Sequence, residues 1–147
     1  MSHNGHDAYL EGRVLSADPL ELVRILYQGC SNAVREARRR LSDGDIAGRS
    51  RALSNAYDIL TELLTSLDLS ADIGTRLALL YDYMQRRLIE ANVQQADAPL
   101  AEVLALLVTL GEAWDEVAAG SKPAPQSNAW TAAQMQEPEL VTHAWSF

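Results

Sequence analysis

Between residues 18 and 120, apolar residues recur at three- and four-residue steps in four consecutive stretches, and only short polar breaks separate them. That period marks an α-helix with one buried face. No stretch shows the two-residue alternation of a half-buried strand. The first helix is expected from Pro19 to about Leu41, with Leu22, Leu26, Cys30, Ala33, Ala37 and Leu41 on one face. Asp18 is placed to cap it, Pro19 suits the first helical position, and Glu21 three residues on resembles a capping box. Ser42-Asp43-Gly44 ends it. The second runs from about Asp45 to Leu67, with Ile46, Leu53, Ala56, Leu60, Leu63 and Leu67 as its stripe. The third starts from Ser70 as cap and continues to about Gln95, carrying Ile73, Leu77, Leu80, Met84, Leu88 and Ala91. The fourth follows Asp97 and Pro99 and reaches about Ala119, with Leu100, Val103, Leu107, Leu110, Trp114 and Val117. Gly120 stops it, and Pro123 bars continuation.

Helices of about 22–25 residues are roughly 33–38 Å long. Short loops between helices of such similar length force antiparallel neighbours. The expected fold class is therefore all-α: an antiparallel, up-down-up-down four-helix bundle over residues 18–120. An N-terminal arm covers residues 1–17, and a linker and tail cover 121–147. In the tail, Asn128 to Met135 have the pattern for a short fifth helix. Trp130, Met135, Leu140, Val141, Trp145 and Phe147 punctuate an otherwise polar segment, which suggests that Trp130 to Phe147 folds back and fills an empty partner groove on the bundle, in competition with the arm around Tyr9.

Composition excludes several function classes. The net charge of −8 opposes nucleic-acid binding, which needs a basic footprint, and opposes retention on anionic lipid. The longest strongly apolar run, Val103 to Leu110, is far short of the ~20 residues that span a bilayer, so no membrane insertion is expected. The first residues lack the apolar core of a cleaved signal. A single cysteine cannot form an intrachain disulfide, which points to the cytoplasm. The charge is uneven: residues 89–147 hold one cation, Lys122, against eight acids. The Arg38-Arg39-Arg40 cluster reads as a solvated helix end, where cations complement the dipole.

Catalytic patterns are missing. His3, His6 and His143 fall outside the expected helices, so no di-iron Glu-x-x-His pair enters the bundle. There is no phosphate loop, no Cys-x-x-Cys and no nucleophile elbow. Cys30 falls on a core seam and reads as a small buried hydrophobe. No catalytic residue, metal site or cofactor is expected, and the chain reads as a non-enzyme.

What remains is an apolar surplus. Helix four adds Ala101, Leu104, Ala105, Leu106 and Val108 to its seam, helix two adds Ile59 and Leu64, and helix three adds Leu79 and Tyr83. Apolar surface beyond what a bundle core needs marks an interaction site, and amphipathic helices laid in grooves are the usual occupants. The expected groove lies among helices two, three and four, with Ala56, Ile59, Leu63, Leu79, Leu80, Tyr83, Met84 and Leu104 as contacts. A self-associating structural bundle, a weak homodimer with no client, uses the same faces.

Specific strings resemble the flagellin-specific secretion chaperones of the FliS family. They are Ala8-Tyr9, Ser16-Ala17-Asp18-Pro19 with Glu21-Leu22, and Leu26-Tyr27-Gln28-Gly29. Gly44-Asp45, Ala52-Leu53, Ala56, Ile59, Leu63 and Ser66-Leu67-Asp68 follow. Leu80-Tyr81-Asp82-Tyr83-Met84, Arg86-Arg87-Leu88, Ala91-Asn92 and Ala113-Trp114 complete the set. The resemblance implies a cytoplasmic export chaperone that binds the disordered C-terminal region of flagellin. It prevents premature polymerisation and delivers the client to the export gate of the flagellar type III apparatus. Tyr9 matches the family's N-terminal tyrosine, implicated in gate docking or in capping the empty groove.

Overall fold

The computed structural model describes residues 18–120. The expected N-terminal arm with Tyr9, the tail with its short helix, and all three histidines lie outside the described residues. Within them the chain forms four helices and no strand: α1 (Pro19–Asp43), α2 (Ile46–Thr65), α3 (Asp72–Gln94) and α4 (Ala98–Ala118).

The helix ends follow local chemistry. The Asp18 carboxylate accepts from the Glu21 backbone N–H at 2.8 Å, satisfying one of the orphan donors of the first turn. The Glu21 side chain pairs with Arg24 at 3.1 Å. Gly44 closes α1 at φ 73°, a left-handed conformation that suits glycine. One residue later Asp45 caps α2 by accepting from Gly48 N at 2.9 Å. The expected Ser70 cap is not formed. Ala71 holds the cap position of α3, and the Ser70 hydroxyl turns back to Asp68. Asp97 opens α4 without a side-chain cap, because its carboxylate is committed to Arg38 of α1.

Each helix packs on the next, and α4 closes back on α1. Side-chain pairs give the directions. Arg24 meets Asp115 and Arg38 meets Asp97, so α1 and α4 run opposite. Gln85 reaches Tyr57 and Thr61, while Arg49 reaches Asn92, so α2 and α3 do too. This is the antiparallel four-helix arrangement expected from the period.

The core runs the length of the bundle through Val23, Tyr27, Cys30, Val34, Leu60, Leu63, Tyr81, Met84, Leu88, Leu100, Val103, Leu107 and Trp114. It is not quite the expected seam. In α1 Cys30, Ala33 and Ala37 are buried as expected, but Val23, Tyr27 and Val34 are buried with them, while Leu22, Leu26 and Leu41 are only half-buried. The reason is that α1 lies between α2 and α4 and buries a broad arc rather than a stripe. Ile46, expected in the stripe of α2, is exposed at its first turn.

Two glycines make opposite demands. A methyl group on Gly74 would sit 2.0 Å from the Asp68 carbonyl oxygen, so the α2–α3 turn crosses this helix too closely for any side chain. One on Gly111 would meet nothing within 4 Å. Urea denaturation should therefore show Gly74→Ala strongly destabilised, because backbone must shift. Gly111→Ala should be stabilised by up to ~1 kcal/mol, the helix-propensity difference.

Candidate functional site

The apolar surplus is distributed unevenly. Most of the surplus of α4 is absorbed, because that helix touches both α1 and α3: Leu104, Leu106 and Leu110 are half-buried against the core. What stays outside belongs mainly to α3. Leu79 is 69% exposed, Ile89 52% and Val93 76%. Their spacing puts them on the outer side of α3 over about 21 Å of helix, with the exposed Asp82–Arg86 ion pair lying between Leu79 and Ile89. Tyr57 of α2 borders the far end of this strip. There Leu53, Tyr57, Leu88, Ile89, Asn92 and Val93 line a groove of about 220 Å³ between α2 and α3.

The eight residues expected as one groove do not share a surface. Ala56, Leu63 and Met84 are fully buried in the core. Ile59 lies on the α1 side of α2, its Cδ1 within 3.5 Å of where Gly29 would carry a Cβ. Leu104 is half-buried one turn before Val108, which borders the α1–α4 groove. Leu80 and Tyr83 are half-buried on the α4 side of α3, and Leu79 points outward beside them. So Leu79, Leu80 and Tyr83 are the three that stay together at the outer face. Tyr57, Ile89 and Val93 were not anticipated. Their signal was available in the sequence, as apolar residues falling off the core seams at helical spacing.

Polar clamps hold the strip in place. The Tyr83 hydroxyl donates to Glu102 of α4 at 2.6 Å, and Arg87 Nε donates to the same carboxylate at 2.7 Å. Arg87 also reaches Glu90 at 2.7 Å, and the Arg86 guanidinium lies 6.0 Å from the Tyr83 ring centre. The carboxylate beside it holds the Tyr83 phenol above its ordinary pKa. The bonds from Tyr83 and Arg87 hold Glu102 below its own. On the other flank Gln85, almost wholly buried, donates to the Tyr57 carbonyl at 3.1 Å and the Thr61 hydroxyl at 2.9 Å. These bonds satisfy polar groups that would otherwise be costly beside the core.

None of this is a reaction centre. Burial pushes the Cys30 thiol up to about 12, which keeps it a protonated core side chain. Among the described residues no group of His, Cys, Asp and Glu could hold a metal ion. No described helix is long and apolar enough to cross a membrane.

Comparison with known proteins agrees with the strings noted above. The family model of the flagellar protein FliS matches residues 2–121. The chain belongs to the FliS family. FliS proteins are chaperones, so this member is not an enzyme. It is similar to the flagellar secretion chaperone FliS of Salmonella typhimurium, with 38% identity over 111 residues, covering 74% of this chain and 82% of that protein. The Bacillus subtilis FliS is 32% identical over 113 residues, covering 77% and 85%. The FliSB chaperone of Pseudomonas aeruginosa is 31% identical over 110, covering 74% and 87%. The family match takes in all four helices of this FliS chain and the segment with Tyr9, and it stops where the tail begins.

The ion pairs of this FliS bundle have a pH signature. Hydrogen bonds from Arg38 hold the Asp97 carboxyl below its ordinary value. Its contribution is therefore present above the usual carboxylate range and is lost as pH falls through the lowered folded value. The pair is about half exposed, so it is expected to contribute about 0.5 kcal/mol. Asp97→Asn should lower stability by that amount at pH 7, and the difference should shrink as pH falls below the usual carboxylate range, as read from urea midpoints.

Proposed function

We propose that this chain is a cytoplasmic flagellar secretion chaperone that binds the disordered C-terminal region of flagellin. It keeps that region from polymerising early and delivers it to the flagellar export gate. The observation that carries this reading is membership of the FliS family over residues 2–121, with relatives that are themselves flagellar secretion chaperones. The exposed strip on α3 supports it physically. A client that is unfolded until bound must recover an ordering cost of typically ~2–5 kcal/mol, and a long apolar track offers that through burial.

In this reading the client lies along Leu79, Leu80 and Tyr83 and continues over Ile89 and Val93 toward Tyr57. The buried Ala56, Leu63 and Met84 shape the surface from beneath, while Ile59 and Leu104 stand at its margins. Tyr9 serves gate docking or capping of the empty surface.

The same strip would serve a homodimer. Calorimetry with a peptide of the flagellin C-terminal region separates the two readings. A chaperone shows 1:1 binding with a negative heat-capacity change. Leu79→Asp should weaken that binding at least about tenfold, since burying one such side chain is worth about 1.5–3 kcal/mol. Absence of binding, together with a concentration-dependent mass in light scattering, would select the homodimer.

A further inference from the structure

One end of the α2–α3 groove is built of donors around a positive charge. Arg49 of α2 is only 5% exposed, yet it meets no carboxylate among the described residues. Its Nε donates to the Asn92 side-chain oxygen of α3 at 3.0 Å, and no other described group bonds to it. Arginines nearer the surface, such as Arg24, Arg38 and Arg87, each pair with an acid. A guanidinium so far withdrawn from water without an opposite charge is the unfavourable case.

The bond also sets Asn92. Arginine has no acceptor to offer, so the Asn92 oxygen must face it and the two amide N–H donors point away, where no described acceptor takes them. Asn92 lines the groove together with Ser50 and Ser54, which stand four residues apart on one face of α2. Neither serine turns its hydroxyl back to its own helix, as Thr61, Thr65 and Thr109 do. Leu53 and Leu88 floor the groove, and Tyr57, Ile89 and Val93 form its rims. Asp58 stands eight residues beyond Ser50, about 12 Å along α2. The groove is thus apolar along its length, with donors and a positive charge at one end and a carboxylate at the other.

Asn92 lies in the last turn of α3, so an occupant that follows this helix from Leu79 runs out of wall there. The C-terminal end of a helix presents carbonyls without donors and the negative pole of its dipole, and the end of a polypeptide adds a carboxylate. Such a group matches Ser50, Ser54 and Asn92 in kind and Arg49 in sign. The reverse orientation would set N–H donors and a positive pole against donors and a cation.

We propose that this end of the groove receives the C-terminal carboxylate of the client polypeptide. Ser50, Ser54 and the Asn92 amide donate to it, and Arg49 is a positioning residue that holds the amide and supplies the opposite charge. The client therefore runs in the direction of α3, with its last turn over Ser50 and Ser54. The proposal rests on the client reading above and adds to it a direction and a chemical group.

Calorimetry on the full chain tests it with peptides of the flagellin C-terminal region in three forms: ending in the natural carboxylate, amidated, and extended by two glycines. The amidated and extended forms should each bind about tenfold more weakly than the natural one. The chain's charge of −8 opposes a carboxylate at long range, so that preference has to come from local donors. Asn92→Asp gives Arg49 the carboxylate it lacks and sets a like charge against the client's. It should keep or raise the urea midpoint while weakening the natural peptide at least about tenfold and leaving the amide nearly unaffected. Arg49→Lys, which keeps the charge, should retain more of the preference than Arg49→Gln. Equal binding of the natural and amidated peptides overturns the proposal and leaves the client reading standing. So does an extended peptide that binds like the natural one, because the carboxylate then acts by net charge alone. An Asn92→Asp chain that keeps the preference overturns it as well. Absence of binding by all three peptides overturns the client reading together with the proposal.

Discussion

The bundle depends on one buried polar contact. Tyr27 of α1 and Tyr81 of α3 sit diagonally across the core, and their hydroxyls are hydrogen-bonded to each other. Either hydroxyl buried alone would cost several kcal/mol, so the two helices are held at the axial level where the groups meet. The rings cross edge to face with centres 6.1 Å apart, and Trp114 of α4 lies 6.2 Å from the Tyr27 ring. Three of the four helices are thus fixed in mutual register by three aromatic side chains. Burial pushes both phenols well above their ordinary values, and the hydrogen bonds to Tyr81 and Trp114 offset this only in part for Tyr27. They stay protonated and paired at any physiological pH.

With the register set inside, the surface divides by geometry. α4 packs between α1 and α3, so its apolar residues find cover on both flanks even though the helix is apolar nearly all round. α3 has cover on fewer sides, and its excess remains as Leu79, Ile89 and Val93, with the Asp82–Arg86 pair among them. The polar bonds sit between these regions. Tyr83, Arg87 and Glu102 brace α3 against α4, while Gln85 braces it against α2, so the strip is presented on a helix fixed from both sides. A chaperone that recognises a disordered segment gains from such rigidity, because the ordering cost then falls on the client alone.

The helix ends and the fold were legible in the sequence because they rest on local rules. Asp18 with Pro19, and Gly44 with Asp45, mark their positions through backbone donors and a left-handed turn, whatever the rest of the chain does. Cys30 was legible for the same reason, since its seam position follows from spacing. The errors arise where another element decides. Ser70 turns its hydroxyl back to Asp68 instead of capping α3, because the α2–α3 turn brings that carboxylate within reach. Tyr27 and Tyr81 escaped the expected seams because a tyrosine in the core is tolerable only with a partner that spacing cannot reveal. The expected client groove mixed inner and outer residues for a related reason. Periodicity gives the face of a helix, but which face lies inward depends on the neighbours on both sides.

The central claim is that the outer face of α3 is free surface awaiting a polypeptide, while the aromatic core is complete without one. Amide hydrogen exchange on the full chain, with and without the C-terminal region of flagellin, tests it most directly. The account predicts that the amides around Tyr27 and Tyr81 exchange at the global unfolding rate in both states. It also predicts that client binding adds protection concentrated along α3 from Leu79 to Val93 and at Tyr57. Unchanged exchange along α3, or protection confined to another face, would contradict it.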